Sequence, residues 1–265
     1  FVPTTFTELT LTLSSSHSAN GIYDVFVYSN SGVLTLVTGP IWTTTTAGAG
    51  ARGTGAGTTQ LTRTNGIYVN TVAMTGRNGV TTYSVSAGYA TYLGSIYIDG
   101  TQGQVSCHRT YGQSRKWGIW NAYNRQPILL KAGDATASWT YTTATIRAAN
   151  GNSANSLTVF QGLAEEVMDI AHLSSNLNNT SAIRSEMGIG YNSTTAYTGR
   201  YASRILGGAV FSESAPGTSF GPARYVAPPS LGINVATALE FSAASGTTTW
   251  YGTESNMLLT ASWRG

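Results

Sequence analysis

Hydrophobic and polar residues alternate with a period of two along much of this chain, the pattern of strands that bury one face. The C-terminal run is the cleanest: Met257, Leu259, Ala261 and Trp263 fall on one side, with Leu258, Thr260, Ser262 and Arg264 on the other. β-rich runs at 23–28 and 33–37 flank Ser29-Asn30-Ser31-Gly32 and predict a hairpin. A second hairpin is expected where 94–98 runs through Asp99-Gly100 and returns along 104–108. Further strands are expected at 119–123, 126–131, 138–146, 157–161, 205–211 and 235–242. Turn clusters punctuate them, among them Lys131-Ala132-Gly133-Asp134, Asn150-Gly151-Asn152 and Ser214-Ala215-Pro216-Gly217. Many short strands at this spacing predict an all-β protein, an antiparallel β-sandwich of jelly-roll type or a closed barrel. Residues 162–173 fit two patterns. Leu163, Ala164, Val167, Met168 and Ala171 recur at helical spacing, while Val167, Asp169, Ala171 and Leu173 would share one side of a strand.

Composition sharpens the class. Only 9% of the 265 residues are charged, against about 25% in an ordinary soluble domain. Thr (40), Ser (28) and Gly (31) supply the polarity, and 15 Tyr and 6 Trp the aromatic bulk. That mixture favours pleated surfaces and tight turns over long helices. With 41% hydrophobic residues the chain can offset the cost of ordering its backbone, so disorder is not expected. No run approaches the ~18 uninterrupted apolar residues of a spanning helix, so no membrane insertion is expected. The net charge of +3 comes from 14 cations spread over the whole chain, not from the concentrated basic face of a nucleic-acid binder. Residues 43–59, four Thr followed by a Gly/Ala/Thr tract, read as an extended surface arm. The arm and the first hairpin differ in texture from the remainder, which places a division near residue 90. This gives an N-terminal β region, 1–90, and a β-sandwich domain, 91–265, with a single intertwined domain as the alternative.

Most motif-like fragments have dull explanations. Gly48-Ala49-Gly50-Ala51-Arg52-Gly53 has the letters of a dinucleotide fingerprint, but no strand precedes it and no helix can follow, so no cofactor is expected. Cys107 and His108 would point to opposite faces of a strand, so Cys107 reads as a packed residue. His17, His108 and His172 lack metal-ligand spacing, and no metal site is expected. Glu165, Glu166 and Asp169 form an acidic cluster. Adjacent Glu side chains diverge on either a strand or a helix, so the cluster reads as a solvated edge or subunit contact rather than the carboxylate pair of a glycosidase. No catalytic residues are assigned.

The window 109–131 carries more chemistry. Arg109, Arg115, Lys116, Arg125 and Lys131 occur without an intervening acid, interleaved with Tyr111, Trp117, Trp120 and Tyr123. Aromatic faces beside guanidinium groups can stack sugar rings or grip an anionic glycan. Arg109, Tyr111, Arg115, Lys116, Trp117, Trp120, Tyr123 and Arg125 are therefore the candidate glycan- or partner-binding residues. The alternative is that Trp117 and Trp120 anchor the core while the Arg heads satisfy loop carbonyls.

The same window, Cys107-His108-Arg109-Thr110-Tyr111-Gly112-Gln113-Ser114-Arg115-Lys116-Trp117-Gly118-Ile119-Trp120-Asn121-Ala122-Tyr123-Asn124-Arg125, resembles virion-associated proteins of tailed bacteriophages and prophages. Similar stretches follow at 160–166, 188–194, 228–232 and 251–259, and the likeness runs over most of the chain from about Leu13. The resemblance implies a virion protein of tail-fibre, head-fibre or decoration type, at the tail or capsid surface. As an attachment module it would have other virion proteins as partners, and host surface polysaccharide or an outer-membrane receptor as its target. It carries no catalytic residues over. A second reading is a capsid or tail structural protein whose 43–59 arm clamps a neighbouring subunit; a third is a glycan-degrading depolymerase. The threefold shafts of phage fibres suggest a homotrimer. The residues themselves argue only for association, because a charge-poor Ser/Thr/Gly surface is easily desolvated and its sheet edges carry few guarding Lys or Pro. The chain opens at Phe1 rather than Met, which suggests the C-terminal part of something longer or a processed product.

Overall fold

A computed structural model describes residues 5–180, 184–204 and 222–265. Seven strands come first: β1 (Ile22–Asn30), β2 (Val33–Ile41), β3 (Leu61–Thr64), β4 (Ile67–Asn70), β5 (Met74–Asn78), β6 (Thr81–Val85) and β7 (Ala90–Tyr97). Then come β8 (Arg115–Trp117), β9 (Ile119–Asn121), β10 (Pro127–Ala132), β11 (Ser138–Tyr141), β12 (Arg147–Ala148) and β13 (Ser156–Gln161). The last are β14 (Met168–Asn178), β15 (Arg184–Tyr191), β16 (Gly199–Arg204), β17 (Ala223–Ala227), β18 (Gly232–Ser242), β19 (Thr248–Tyr251) and β20 (Met257–Arg264). Among the described residues the helical content is a single 3-10 turn at Ala149–Gly151. The protein is all-β.

The strands form three sheets. The first runs β3-β4-β7-β1-β2-β5-β6, with β9 added alongside β7. The second runs β10-β20-β14-β19-β11, with β17 paired to β14, and the third runs β16-β15-β18-β13-β8, with β12 paired to β18. Pairing is antiparallel except where β8 runs parallel to β13. The second and third sheets pack face to face as a sandwich, and alternation places their inner residues. In β20, Met257, Leu259, Ala261 and Trp263 are buried, as their spacing predicts. Leu157, Val159, Met187 and Ile189 of the third sheet are buried in the same apolar cluster. One contiguous apolar cluster joins this core to Phe26, Val37 and Tyr92 of the first sheet.

The first hairpin is tighter than its loop suggests. β1 and β2 extend to Asn30 and Val33, and the turn contracts to Ser31 and Gly32, both at positive φ (52° and 89°). Those are the conformations whose twist matches the flanking strands. The expected second hairpin does not form. Asp99 N–H closes a turn onto Gln104 O at 3.0 Å, but residues 104–108 make one isolated bridge, between Cys107 and Trp117. The partner of β7 on that edge is β9 instead. The 138–146 run is a strand only as far as Tyr141, and the 205–211 run lies outside the described residues. The ambiguous 162–173 stretch resolves into a loop followed by β14, with Met168, Ile170 and His172 inward and Val167 and Leu173 exposed. The first sheet continues past residue 90 through β7, and β9 extends it to Asn121.

The Gly/Thr-rich stretch 43–59 is docked along its own chain. Thr44 and Ala51 bridge each other, and Gly48 N–H reaches Ile233 O at 2.8 Å. The backbones of Gly50 and Gly232 approach so closely that a Cβ on Gly50 would lie 2.7 Å from the Gly232 Cα. Glycine here is a packing requirement.

Candidate functional site

The basic and aromatic window is where the first sheet joins the sandwich. β8 belongs to the third sheet and β9 to the first, and only Gly118 separates them. Gly118 donates to Ser106 O and accepts from Tyr97 N–H, and a Cβ there would sit 2.9 Å from the Tyr97 carbonyl. The chain therefore steps from one sheet to the next within a single residue, and the side chains on either side diverge.

Several of the eight candidates are committed to this junction. Trp120 is 1% exposed, packed beneath Arg125, whose guanidinium lies 4.7 Å from its ring centroid. Arg125 in turn holds Glu166 at 2.9 Å and Glu165 more tightly. The hydrogen bonds from Arg125 keep the Glu165 carboxyl below its usual range, and the Tyr68 hydroxyl donates to the same side chain. Lys116 pairs with Asp99. Burial pushes the Asp99 carboxyl up, but hydrogen bonds from Lys116 and Ser106 outweigh it, leaving the group below its usual range. Arg109 lies over Trp117 at 5.5 Å and Tyr123 is exposed, so these keep a solvent-facing aromatic and cationic character. Cys107, expected to be packed, is exposed, because its segment leaves the sheet after one bridge.

Tyr111 and Arg115 belong to a different feature. They line an open polar cleft of about 630 Å³ with Gln113, Asp134, Thr136, Asn150 and Asn152, where loop 111–115, turn 133–136 and the Ala149–Gly151 turn converge. Asp134 is 3% exposed and sits in a cage of N–H donors. Its Oδ2 accepts from Asn155 Nδ2 (2.8 Å), Gln113 Nε2 (3.1 Å) and Asn150 Nδ2 (3.1 Å), and its Oδ1 from Thr136 N–H (3.0 Å). Burial alone would raise this carboxyl, but the donors hold it below the usual carboxylate range. Among the described residues it has no cationic partner. Asn155 Nδ2 also donates to Ala149 O at 2.9 Å, which fixes the amide with nitrogen towards the carboxylate. The cage is thus a ring of donors around an anion, not a set of oxygens around a cation. Arg115 Nη2 donates to Tyr111 O at 3.1 Å, while its buried Nε has no partner among the described residues. The Tyr111 hydroxyl is spent on Asp134 O and Met257 O, and burial pushes it up to about 12.

Three other carboxylates are deeply placed, Glu186 among them beside Arg184 and Arg200. Glu240, 1% exposed, accepts from Trp139 Nε1 (2.8 Å) and Arg147 Nε (2.7 Å), and burial nevertheless keeps its carboxyl above the ordinary range. Asp24 is bound by Arg52, a residue of the 43–59 stretch. Sequence reasoning passed over Asp134, Gln113 and Asn155 because a cage built from three separated loops leaves no local spacing. The turn residues Asn150 and Asn152 were legible only as turn formers. Comparison with protein-family models, with curated proteins and with solved structures finds no match.

Proposed function

We propose that this protein is a non-enzymatic virion module of a tailed phage, of fibre or spike type, that attaches the particle to the host surface. The observation that favours binding over hydrolysis is the state of the acidic cluster. Glu165 and Glu166 both pair with Arg125, and Asp169 pairs with Arg224 at 2.9 Å, so each carboxylate of the cluster is engaged by a guanidinium, which holds Glu165 and Asp169 below their usual range. A glycosidase needs one of its two carboxyls protonated as the acid. The quoted likeness of 107–125 to virion proteins supplies the setting. The docked state of 43–59 favours the attachment reading over a structural protein whose arm clamps a neighbour. Assembly as a homotrimer is part of the proposal. The number three rests on the likeness to phage fibres; association itself is supported by the charge-poor surface and the exposure of Phe6 (64%), Val33 (67%) and Tyr89 (76%), Phe6 and Tyr89 bordering an apolar groove that Val27, Leu36 and Leu93 also line.

The test is binding of fluorescently labelled protein to a panel of bacterial strains, with purified surface polysaccharide incubated in parallel. The expected result is saturable binding to some strains and no new reducing ends in the polysaccharide. Release of reducing ends would favour the depolymerase, and absence of binding to any strain would favour the structural protein.

A further inference from the structure

We propose that the cleft around Asp134 is a saccharide subsite that takes one neutral pyranose unit through its ring hydroxyls. Its biological setting rests on the attachment reading; its chemistry does not. The Asp134 cage accounts for Gln113, Asn150 and Asn155 as a device that closes this end of the sandwich. It leaves Arg115 and Asn152 unexplained. Asn152 spends its Oδ1 on Ala154 N–H at 2.9 Å, and among the described residues its Nδ2 has no acceptor. Arg115 has no carboxylate partner among the described residues, unlike Arg52, Arg125, Arg147 and Arg224. Both line the cleft, and so do the Gln113 and Asn150 amides, whose nitrogens are turned to Asp134.

Two physical points favour a sugar. The wall mixes amide, guanidinium and hydroxyl groups with apolar surface in nearly equal parts, which matches the hydroxyl and C–H faces of a pyranose. The amides are already oriented by a buried anion, so the ordering cost that weakens most hydroxyl recognition is met before the ligand arrives. The charges decide the class of sugar. Arg115 faces a cleft that also holds the Asp134 anion, and Glu254 adds negative potential at Tyr111 while it pairs with Lys131. The cationic surplus that a uronic or sialic acid would need is missing.

Saturation-transfer NMR of the full chain tests this with glucose, galactose, mannose, rhamnose and N-acetylglucosamine as neutral probes and glucuronate as the acidic one. At least one neutral sugar is expected to respond. Asn152→Asp keeps an oxygen to cap Ala154 N–H but replaces the amide donor with a negatively charged acceptor, so it should weaken that response roughly tenfold, with the melting temperature of each variant recorded alongside. Arg115→Gln should weaken it as much, and the Asn152 variant decides alone if the Arg115 variant fails to fold. Silence from every neutral sugar, a stronger response from glucuronate, or responses indifferent to Asn152→Asp would overturn the assignment. Cell binding measured on the same preparations separates the two claims. Sugar binding without cell binding sinks the attachment reading and leaves the subsite. Cell binding without any sugar response does the reverse.

Discussion

Arg52 reaches out of the Gly/Thr-rich stretch to grip Asp24 in the middle of the first sheet, Nε to Oδ2 at 2.7 Å and Nη2 to Oδ1 at 2.9 Å. The same guanidinium donates to Gly162 O at 2.6 Å, beyond β13 in the third sheet, and lies 4.4 Å from the Trp42 ring centroid and 5.4 Å from that of Tyr92. Ser95 Oγ supplies Asp24 with a further hydrogen bond at 2.6 Å. A low-complexity segment is thereby nailed to the joint between first sheet and sandwich. With Asp24 fully buried and the Arg52 side chain 10% exposed, the pair has little solvent to fall back on.

Breaking one half of that pair should therefore be severe. Arg52→Ala and Asp24→Asn are each expected to cost about 3–5 kcal/mol, because each leaves an uncompensated buried group. The double replacement Arg52→Met with Asp24→Leu should recover much of the loss. Urea unfolding measures all three. Limited proteolysis adds an independent reading, since Arg52→Ala should open 43–59 to cleavage while wild type resists. Equal stability in wild type and Arg52→Ala would refute the account.

Acid should weaken the fold through a buried histidine. His172 is 1% exposed with Nδ1 against Gly188 O at 2.9 Å, and burial holds its imidazole down at about 4. The unfolded chain takes up that proton near pH 6.5 and the folded chain only near 4. The contribution is therefore full above about pH 6.5 and is lost as pH falls towards 4, a total of about 3 kcal/mol. His17, also held down by burial, adds in the same direction. Unfolding midpoints measured from pH 7 to 4.5 should fall steadily in wild type and less steeply in His172→Gln. A flat profile in wild type would remove the effect.

What could be read from the sequence was what is local. The β20 alternation and the first hairpin were plain, because period and turn chemistry are written within a few residues. The 104–108 run failed as a strand since β9 occupies the edge of β7, and a competition between segments has no local signature. Trp117 and Trp120 looked like one surface, yet Gly118 sends them to different sheets. Arg52 was hidden in a Gly/Thr tract whose texture reads as free, and its partner lies 28 residues away. Asp134 was hidden by the same distance effect, since its donors sit on loops at 113, 150 and 155.

Glycine substitutions should separate the joint from the open turns. A Cβ on Gly94 of β7 would run into the backbone carbonyl of Trp120, which cannot yield without unpairing β9. Gly94→Ala is expected to destabilise by about 1–3 kcal/mol. Gly100 has open space around its Cβ position and no left-handed φ, so Gly100→Ala should be neutral or stabilising by up to about 1 kcal/mol. Thermal melts of the two variants should move in different ways. Similar melts would mean that the β7–β9 contact is not a fixed part of the fold.

The two readings of the basic and aromatic window part company at Trp120 and Tyr123. Trp120 is 1% exposed and contacts Arg125 at the joint, whereas Tyr123, three residues on, is 57% exposed. If the window is first a joint, Trp120→Ala should cost about 3–5 kcal/mol by leaving a cavity, while Tyr123→Ala should stay within about 0.5 kcal/mol of wild type. A binding role for the outward residues makes the opposite demand. Tyr123→Ala and Arg109→Ala should then weaken cell attachment while stability holds, because Arg109 is exposed over Trp117 and carries no ion pair among the described residues. Unfolding and cell binding measured on the same three variants put the two demands side by side. Loss of binding only where stability is also lost would mean that the window acts as scaffold, with recognition carried elsewhere on the molecule.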